Sequence, residues 1–111
     1  MQKILIMISS SIKEILPKVQ AFFSTQPVIH RAWIFGSCAK GTETDLSDVD
    51  LLVDYDRKNY RISLFTLGGI IRKLELIFNR NIDLVENGFL IPEAEASANS
   101  EKILIYEREN S

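Results

Sequence analysis

The chain has one cysteine, Cys38, and one histidine, His30, among its 111 residues. A lone cysteine cannot form an internal disulfide, so a reducing compartment is expected. A lone histidine excludes a histidine-rich metal site, and no neighbouring histidine is available to activate Cys38 as a nucleophile. Cys38 is therefore interpreted as a small packed side chain rather than a catalytic thiol.

A long apolar run and an excess of positive charge are also missing. The apolar residues 1–8 are followed by Lys13 and Glu14, well short of the ~20 residues that a membrane span needs. They also lack the longer apolar core and small-residue cleavage site of a signal peptide. The formal net charge of −2 argues against wrapping a long nucleic acid, whose phosphates are neutralised by Lys and Arg, but it does not exclude a nucleotide. We expect a cytoplasmic protein with neither a membrane nor a long nucleic acid as its partner.

The composition is that of an ordinary globular protein, with 46% hydrophobic and 25% charged residues. A chain of this length buries roughly 65% of its unfolded surface, which is enough for one core. We therefore expect a single domain over residues 1–111, with disorder only in Glu107–Ser111.

Apolar spacing and turn residues predict a mixture of helices and strands. The predicted order is helix 4–23, strand 32–35, helical turn 38–41, strand 49–55, helix 59–78, strand 81–86, helix 92–99 and a final strand or helix 103–106. Residues 1–8 are β-branched enough to form a strand instead. The pattern predicts an α/β or α+β fold, in which a small mixed β-sheet is flanked by helices.

Two of the predicted helices contain residues that disfavour helix. Ser11 and Glu14 form a candidate capping box for the first helix, and Pro17 then predicts a kink or two short helices. Asn59 is a candidate N-cap for the helix that ends near Phe78. Gly68-Gly69 costs that helix roughly 2 kcal/mol relative to two alanines, so the pair predicts close helix packing or a break.

Asp48 and Asp50 stand at the start of a predicted strand. Residues two apart in a strand share a face, with Cα atoms roughly 6.6 Å apart, so both carboxylates can bind one cation. Mg²⁺ is typically held by one or two carboxylates together with substrate phosphates. The alternative is a solvated strand edge, since Asp-x-Asp is a common pattern.

Asp83 lies in another short apolar run, where β propensity disfavours aspartate. If its strand pairs beside the strand of Asp50, three carboxylates meet at one end of the sheet. Two such charges 4 Å apart repel by about 4 kcal/mol at an effective dielectric of 20, so the cluster favours a bound cation. The alternative is an ion pair between Asp83 and Arg80 or Arg72, which needs no metal.

A small-residue turn precedes these acids. Gly36 allows the backbone to approach a ligand, and the N–H groups that follow can point at an anion. Ser37 adds a hydroxyl and Lys40 a positive charge. The alternative is an ordinary connection between a strand and a helix. Asp50 follows Gly36 by fourteen residues, so the two strands can bring their ends to the same edge.

Together these residues resemble a known family. The segment GSCAKGTETDLSDVDLLV is similar to the GSxARG…SDxDLxV motif of the minimal nucleotidyltransferases, in the DNA polymerase beta-like superfamily. The run from Asn81 to Val85 resembles the third-acid strand of that family, and the run from Ile103 to Glu107 its closing segment. The resemblance implies the nucleotidyltransferase-like fold and covers nearly the whole chain.

The resemblance also implies roles for the site residues. Asp48, Asp50 and Asp83 would be catalytic and would bind two Mg²⁺ ions, with ATP as substrate. Gly36 and Ser37 would bind the β- and γ-phosphates. Lys40, which stands where the family usually has arginine, would also contact phosphate, although lysine lacks the bidentate fork of arginine.

Stand-alone domains of this size in the family resemble the antitoxin of a two-gene pair, whose partner is a HEPN-type ribonuclease toxin. The implied reaction transfers AMP from ATP to a tyrosine hydroxyl of that partner. A chain of 111 residues has little room for a substrate domain, so we expect the acceptor to lie on a partner or to be shaped by a homo-oligomer. The alternatives are an antitoxin that acts by occlusion alone and an enzyme that nucleotidylates a small molecule.

Overall fold

The structure, a computed structural model, describes residues 8–42, 44 and 47–109, the side chain at position 100 aside. Four helices and four strands are formed by these residues. In chain order they are α1 (Ser10–Ser24), β1 (Ile29–Phe35), α2 (Gly36–Lys40), β2 (Val49–Tyr55), α3 (Leu64–Phe78), β3 (Ile82–Glu86), α4 (Pro92–Glu101) and β4 (Ile103–Glu107). This is the expected mixed α/β fold, in which a small sheet is flanked by helices.

The sheet has the strand order β3-β2-β1-β4. Strand β1 pairs antiparallel with both β2 and β4, whereas β2 and β3 are parallel. A parallel pair needs a crossover connection, and α3 supplies it. The last segment, expected as a strand or a helix, is a strand. The sheet is therefore mixed, with β2 at the junction between its parallel and antiparallel parts.

One face of the sheet carries the hydrophobic core. Helices α1 and α3 each place a buried stripe against it: Ile12, Leu16, Val19 and Phe23 from α1, and Ile70, Leu74 and Phe78 from α3. The sheet contributes alternate residues, including Val49, Leu51 and Val53, each fully buried. The residues between them, such as Asp50, point to the opposite face. The core thus fixes which side of the sheet receives the acidic side chains.

Helix α1 corrects two expectations. Its N-cap is Ser9, whose hydroxyl accepts a hydrogen bond from the Ile12 N–H, rather than Ser11. Pro17 lies inside one continuous helix instead of dividing it. Pro17 has no N–H to donate to the carbonyl of Lys13, one turn earlier. Both residues are exposed, so water can donate a hydrogen bond to that carbonyl instead. The strand alternative for residues 1–8 lies outside the described residues, except for Ile8, which is buried.

Helix α3 begins later than expected. Ser63, not Asn59, is its N-cap, and its hydroxyl accepts from the Thr66 N–H at 3.0 Å. Asn59 instead forms a turn, bonded to the carboxylate of Asp56. Gly68 and Gly69 lie within the continuous helix, and a Cβ on either would meet nothing within 4 Å. The glycine pair therefore marks neither a break nor close packing.

The end of the chain is ordered further than expected. Glu107 belongs to β4, and the Arg108 guanidinium donates to the carbonyls of Phe23, Gln26 and Ile29 at 2.9, 3.0 and 3.1 Å. These carbonyls lie at the C-terminus of α1, in the loop that follows and at the first residue of β1. The Arg108 side chain thus ties the end of the chain to the end of α1 and the start of β1.

None of the helices in the described part of the chain has the length and apolarity that crossing a membrane requires.

Candidate active site

The predicted acidic residues lie at one end of the sheet. In the parallel register of β2 and β3, Asp50 lies directly opposite Asp83. Asp48 comes two residues before Asp50, immediately ahead of β2. Neighbouring strands are about 4.8 Å apart, so the two paired aspartates project from adjacent positions on the face away from the core. Asp48, Asp50 and Asp83 are called the acid cluster below.

The small-residue turn lies against this cluster. Strand β1 ends at Phe35, which pairs with Asp50 in the antiparallel register. Gly36 follows with φ +70°, and a Cβ there would overlap with Oδ2 of Asp50 and lie 3.3 Å from its Cγ. The missing side chain is therefore what lets the Asp50 carboxylate lie on the turn. Ser37 is the next residue, in the first turn of the short helix α2. Gly36 and Ser37 are called the glycine-serine turn.

The electrostatics of the acid cluster favour a cation. Burial, and then repulsion from Asp83 and Asp48, raises the pKa of Asp50. Among the described residues no lysine or arginine lies within ion-pair distance of any acid of the cluster. The alternative ion pair between Asp83 and Arg80 or Arg72 is not among the ion pairs of the described residues. A positive charge supplied from outside the chain would stabilise the ionised cluster.

These residues fit a hard divalent cation. Carboxylate oxygens are the ligands that Mg²⁺ prefers, and it uses one or two of them with water and phosphate oxygens. Within the described ranges, no group of three or more His, Cys, Asp or Glu side chains is placed so that it could hold a metal ion. Asp48 and Asp83 are exposed, so their side chains are free to turn toward a cation. The cluster thus suits an ion that is shared with a phosphate-bearing substrate.

Comparison with known proteins agrees with this geometry. The family model described as polymerase beta, nucleotidyltransferase matches residues 17–111, which include the glycine-serine turn and the acid cluster.

The chain belongs to this nucleotidyltransferase family.

A relative from Methanocaldococcus jannaschii, named as a candidate protein adenylyltransferase, is 36% identical over 76 residues, which are 68% of this chain and 75% of the relative. Two solved structures share the fold. A chain from a toxin–antitoxin structure with AMP-PNP has a TM-score of 0.61 at 17% identity, over 89% of this chain and 73% of that one. A chain from the tri-AMPylated Shewanella oneidensis HEPN toxin in complex with an MNT antitoxin has a TM-score of 0.61 at 13% identity, over 86% and 72%.

Cys38 of the nucleotidyltransferase is a packed side chain, as expected. It is 1% exposed, and its Sγ lies 3.8 Å from the Asp48 carbonyl oxygen. The thiol is a weak donor to that carbonyl. Cys38 therefore supports the backbone of one member of the acid cluster and has no access to a substrate.

Lys40, expected at the phosphates, is held by an ion pair in this nucleotidyltransferase. Its Nζ lies 3.1 Å from Oε1 of Glu101, at the C-terminal end of α4. Helix α4 also packs beside α2, so the pair joins two neighbouring helices. No pattern in the sequence points to this partner, because Glu101 lies sixty-one residues further along the chain. The predicted contact between Lys40 and phosphate stays a prediction.

A cleft of about 560 Å³ opens beside Asp48. Polar and charged side chains dominate its lining, which is made of Ser47, Asp48, Arg72, Glu75, Leu76, Asn79, Arg80 and Asn81. Sequence reasoning missed this cleft, since it is formed by the end of α3, the loop before β3 and the residues before β2. We call it the arginine cleft.

Proposed function

We propose that this nucleotidyltransferase is an Mg²⁺-dependent adenylyltransferase that transfers AMP from ATP to a tyrosine hydroxyl of a partner protein. We further propose that the partner is a HEPN-type toxin and that the chain is its antitoxin, acting in the cytoplasm. The observation that carries the proposal is the register that sets Asp50 opposite Asp83 beside the glycine-serine turn.

The comparisons support the choice of substrate and partner. The Methanocaldococcus jannaschii relative is named for protein adenylyltransfer, and the Shewanella oneidensis toxin carries AMP groups in complex with its antitoxin. A toxin–antitoxin structure with AMP-PNP has the same fold as this chain. ATP as donor and a protein as acceptor are the simplest assignment for this chain.

In this reaction the acceptor oxygen forms a bond to the α-phosphorus of ATP while the bond from that phosphorus to the β-phosphate bridging oxygen breaks. Pyrophosphate leaves, and the hydroxyl proton passes to Asp83 or to water. When bound at Asp48, Asp50 and Asp83, two Mg²⁺ ions supply charge neutralisation at the entering and leaving oxygens. The backbone of Gly36 and the Ser37 hydroxyl hold the β- and γ-phosphates, beside the Asp50 carboxylate that occupies the space of a Gly36 side chain.

The test incubates the chain with α-labelled ATP, Mg²⁺ and the product of the neighbouring gene. Label on the partner is expected, together with a loss of about 100-fold or more when Asp48 and Asp50 are both replaced by alanine. Label on a tyrosine, located by mass spectrometry, supports the acceptor assignment. Absence of label with an intact partner would contradict the proposal.

A binding antitoxin that acts by occlusion is the second candidate, because the surface offers apolar side chains to a partner. Phe65 and Phe89 are 92% and 72% exposed. The two functions differ in one outcome. If the doubly substituted chain still protects cells from the partner, catalysis is dispensable and occlusion is sufficient.

A further inference from the structure

The arginine cleft has no role in the proposed reaction as described so far. One wall is a stripe on one side of α3 made of Arg72 and Leu76, at i and i+4, and it is continued by Asn79, the C-cap residue that follows the helix. This stripe is distinct from the buried stripe that faces the core. Arg80 and Asn81 continue the wall, and Asp48 of the acid cluster lies at its border. The cleft thus adjoins the proposed reaction centre.

The position of the cleft relative to the glycine-serine turn indicates from which side an acceptor would approach. The turn follows β1, whereas the cleft is lined by the residues that lead into β3. Strand β2 lies between these two strands, so they are roughly 10 Å apart. An in-line displacement brings the acceptor oxygen to the α-phosphate from the side opposite to the leaving pyrophosphate. With the β- and γ-phosphates at the turn, the acceptor approaches from the side of the cleft.

The lining of the cleft combines Arg72 and Arg80 with the carboxylates of Asp48 and Glu75, and the exposed Arg72 guanidinium is the group that can receive an anion. Within the described part of the chain, Arg72 has no ion pair, although Glu75 lies one turn away and lines the same cleft. Guanidinium groups bind carboxylates through two parallel hydrogen bonds. The volume of about 560 Å³ exceeds one carboxylate and matches a few residues of a polypeptide.

We propose that the arginine cleft receives the polypeptide segment that carries the acceptor hydroxyl, and that Arg72 binds an acidic side chain next to that hydroxyl. This inference rests on the proposed function and names the class of acceptor segment that it uses. Arg72 acts in acceptor specificity and has no part in binding the donor nucleotide.

The kinetic test compares Arg72→Glu with Lys73→Glu, a matched charge reversal at the next residue of α3, which is exposed and lies outside the cleft. Arg72→Glu is expected to raise the KM for the protein acceptor roughly tenfold and to leave the KM for ATP unchanged. Arg72→Lys should recover part of the loss, and Lys73→Glu should behave as the unmodified chain. An increase in the KM for ATP, or no change in either KM, would overturn the inference.

If no transfer is detected, a binding test still shows whether the cleft recognises an acidic segment. It therefore distinguishes a failure of this inference from a failure of the proposed function. The peptides Glu-Tyr-Glu and Lys-Tyr-Lys are titrated separately into the protein while the arginine side-chain Nε–H signals are followed by NMR. The acidic peptide is expected to shift the Arg72 signal, and the basic peptide is not. Equal responses to both peptides, or none to either, would refute recognition of an acidic segment.

Discussion

The Asp50 carboxylate occupies the space in which a side chain of Gly36 would lie. Gly36→Ala therefore has two costs, since φ +70° is unfavourable for alanine by about 1 kcal/mol and the new methyl displaces the carboxylate. We expect transferase activity to fall by about 100-fold, far more than stability alone explains. Labelling kinetics and thermal unfolding of the same samples measure the two effects.

Gly88→Ala is the matched control for that substitution. Gly88 also has a positive φ, +95°, but a Cβ there meets nothing within 4 Å. The control should lose a similar amount of stability and keep its activity. Equal losses of activity in both variants would show that backbone strain, not the contact with Asp50, is responsible.

Asp50→Asn should stabilise the metal-free protein at neutral pH. Because burial and the neighbouring aspartates raise the pKa of Asp50 from its ordinary 3.8, folding favours its protonated form. Its contribution to stability is fully present below the pKa of the unfolded chain and is lost as the pH rises through the folded-state pKa. The neutral asparagine avoids this loss, so the Tm of the variant should exceed that of the unmodified chain at pH 7.

The difference in Tm should narrow as the pH falls through the folded-state pKa of Asp50. Added Mg²⁺ should raise the Tm of the unmodified chain and have little effect on Asp50→Asn. A variant that is less stable than the unmodified chain at pH 7 without metal would contradict the role of repulsion in the acid cluster.

Lys40 and Glu101 permit a test of whether the lysine contacts phosphate. Their exposed ion pair contributes at most about 1 kcal/mol to stability, so its loss should not unfold the chain. Lys40→Arg should leave activity intact or raise it. Lys40→Glu should raise the KM for ATP roughly tenfold, because it places a negative charge near the triphosphate.

The charge exchange of Lys40→Glu with Glu101→Lys separates the two roles. It restores an ion pair between α2 and α4 but leaves the negative charge on α2. A KM for ATP that remains high in the exchanged protein supports phosphate binding by Lys40. A return to the original KM would mean that the lysine acts only through Glu101.

Gly68→Ala and Gly69→Ala should each stabilise the protein by about 1 kcal/mol. Both glycines lie in the continuous helix α3 with open space around the position of a Cβ. Alanine removes conformational freedom from the unfolded chain without a new clash. Urea denaturation measures the gain, and transferase activity should be unchanged. A loss of stability in either variant would indicate a constraint on this helix that the contacts do not reveal.

Much of the site was predictable because alternation fixes the faces of a strand. The bounds of β2 were predicted correctly, since residues 49–55 form a short, mostly apolar run in which Val49, Leu51 and Val53 share one face. Asp83 is a candidate because an aspartate in an apolar run is unusual, and it is expected at the same sheet end if its strand pairs beside β2. Its position opposite Asp50 then followed from pairing of the two strands.

The wrong predictions concern helix N-caps, for which two nearby residues were equally suitable. The contacts that were missed join residues that are distant in sequence. Ser9 and Ser11 are both suitable N-caps, as are Ser63 and Asn59, and the packing of each helix decides between them. Glu101 and Arg108 find their partners across more than sixty residues, which spacing along the chain does not reveal. The arginine cleft needs three separate segments to be brought together.

The parallel pairing of β2 with β3 has a consequence for how the activity arises. Asp50 and Asp83 meet only after α3 has folded back across the sheet and β3 has docked in register, which is the long-range step of assembly. A nascent or partly folded chain that lacks this step has its aspartates apart and no place for the cation. The time at which nucleotide transfer begins during refolding would therefore report when β3 pairs with β2.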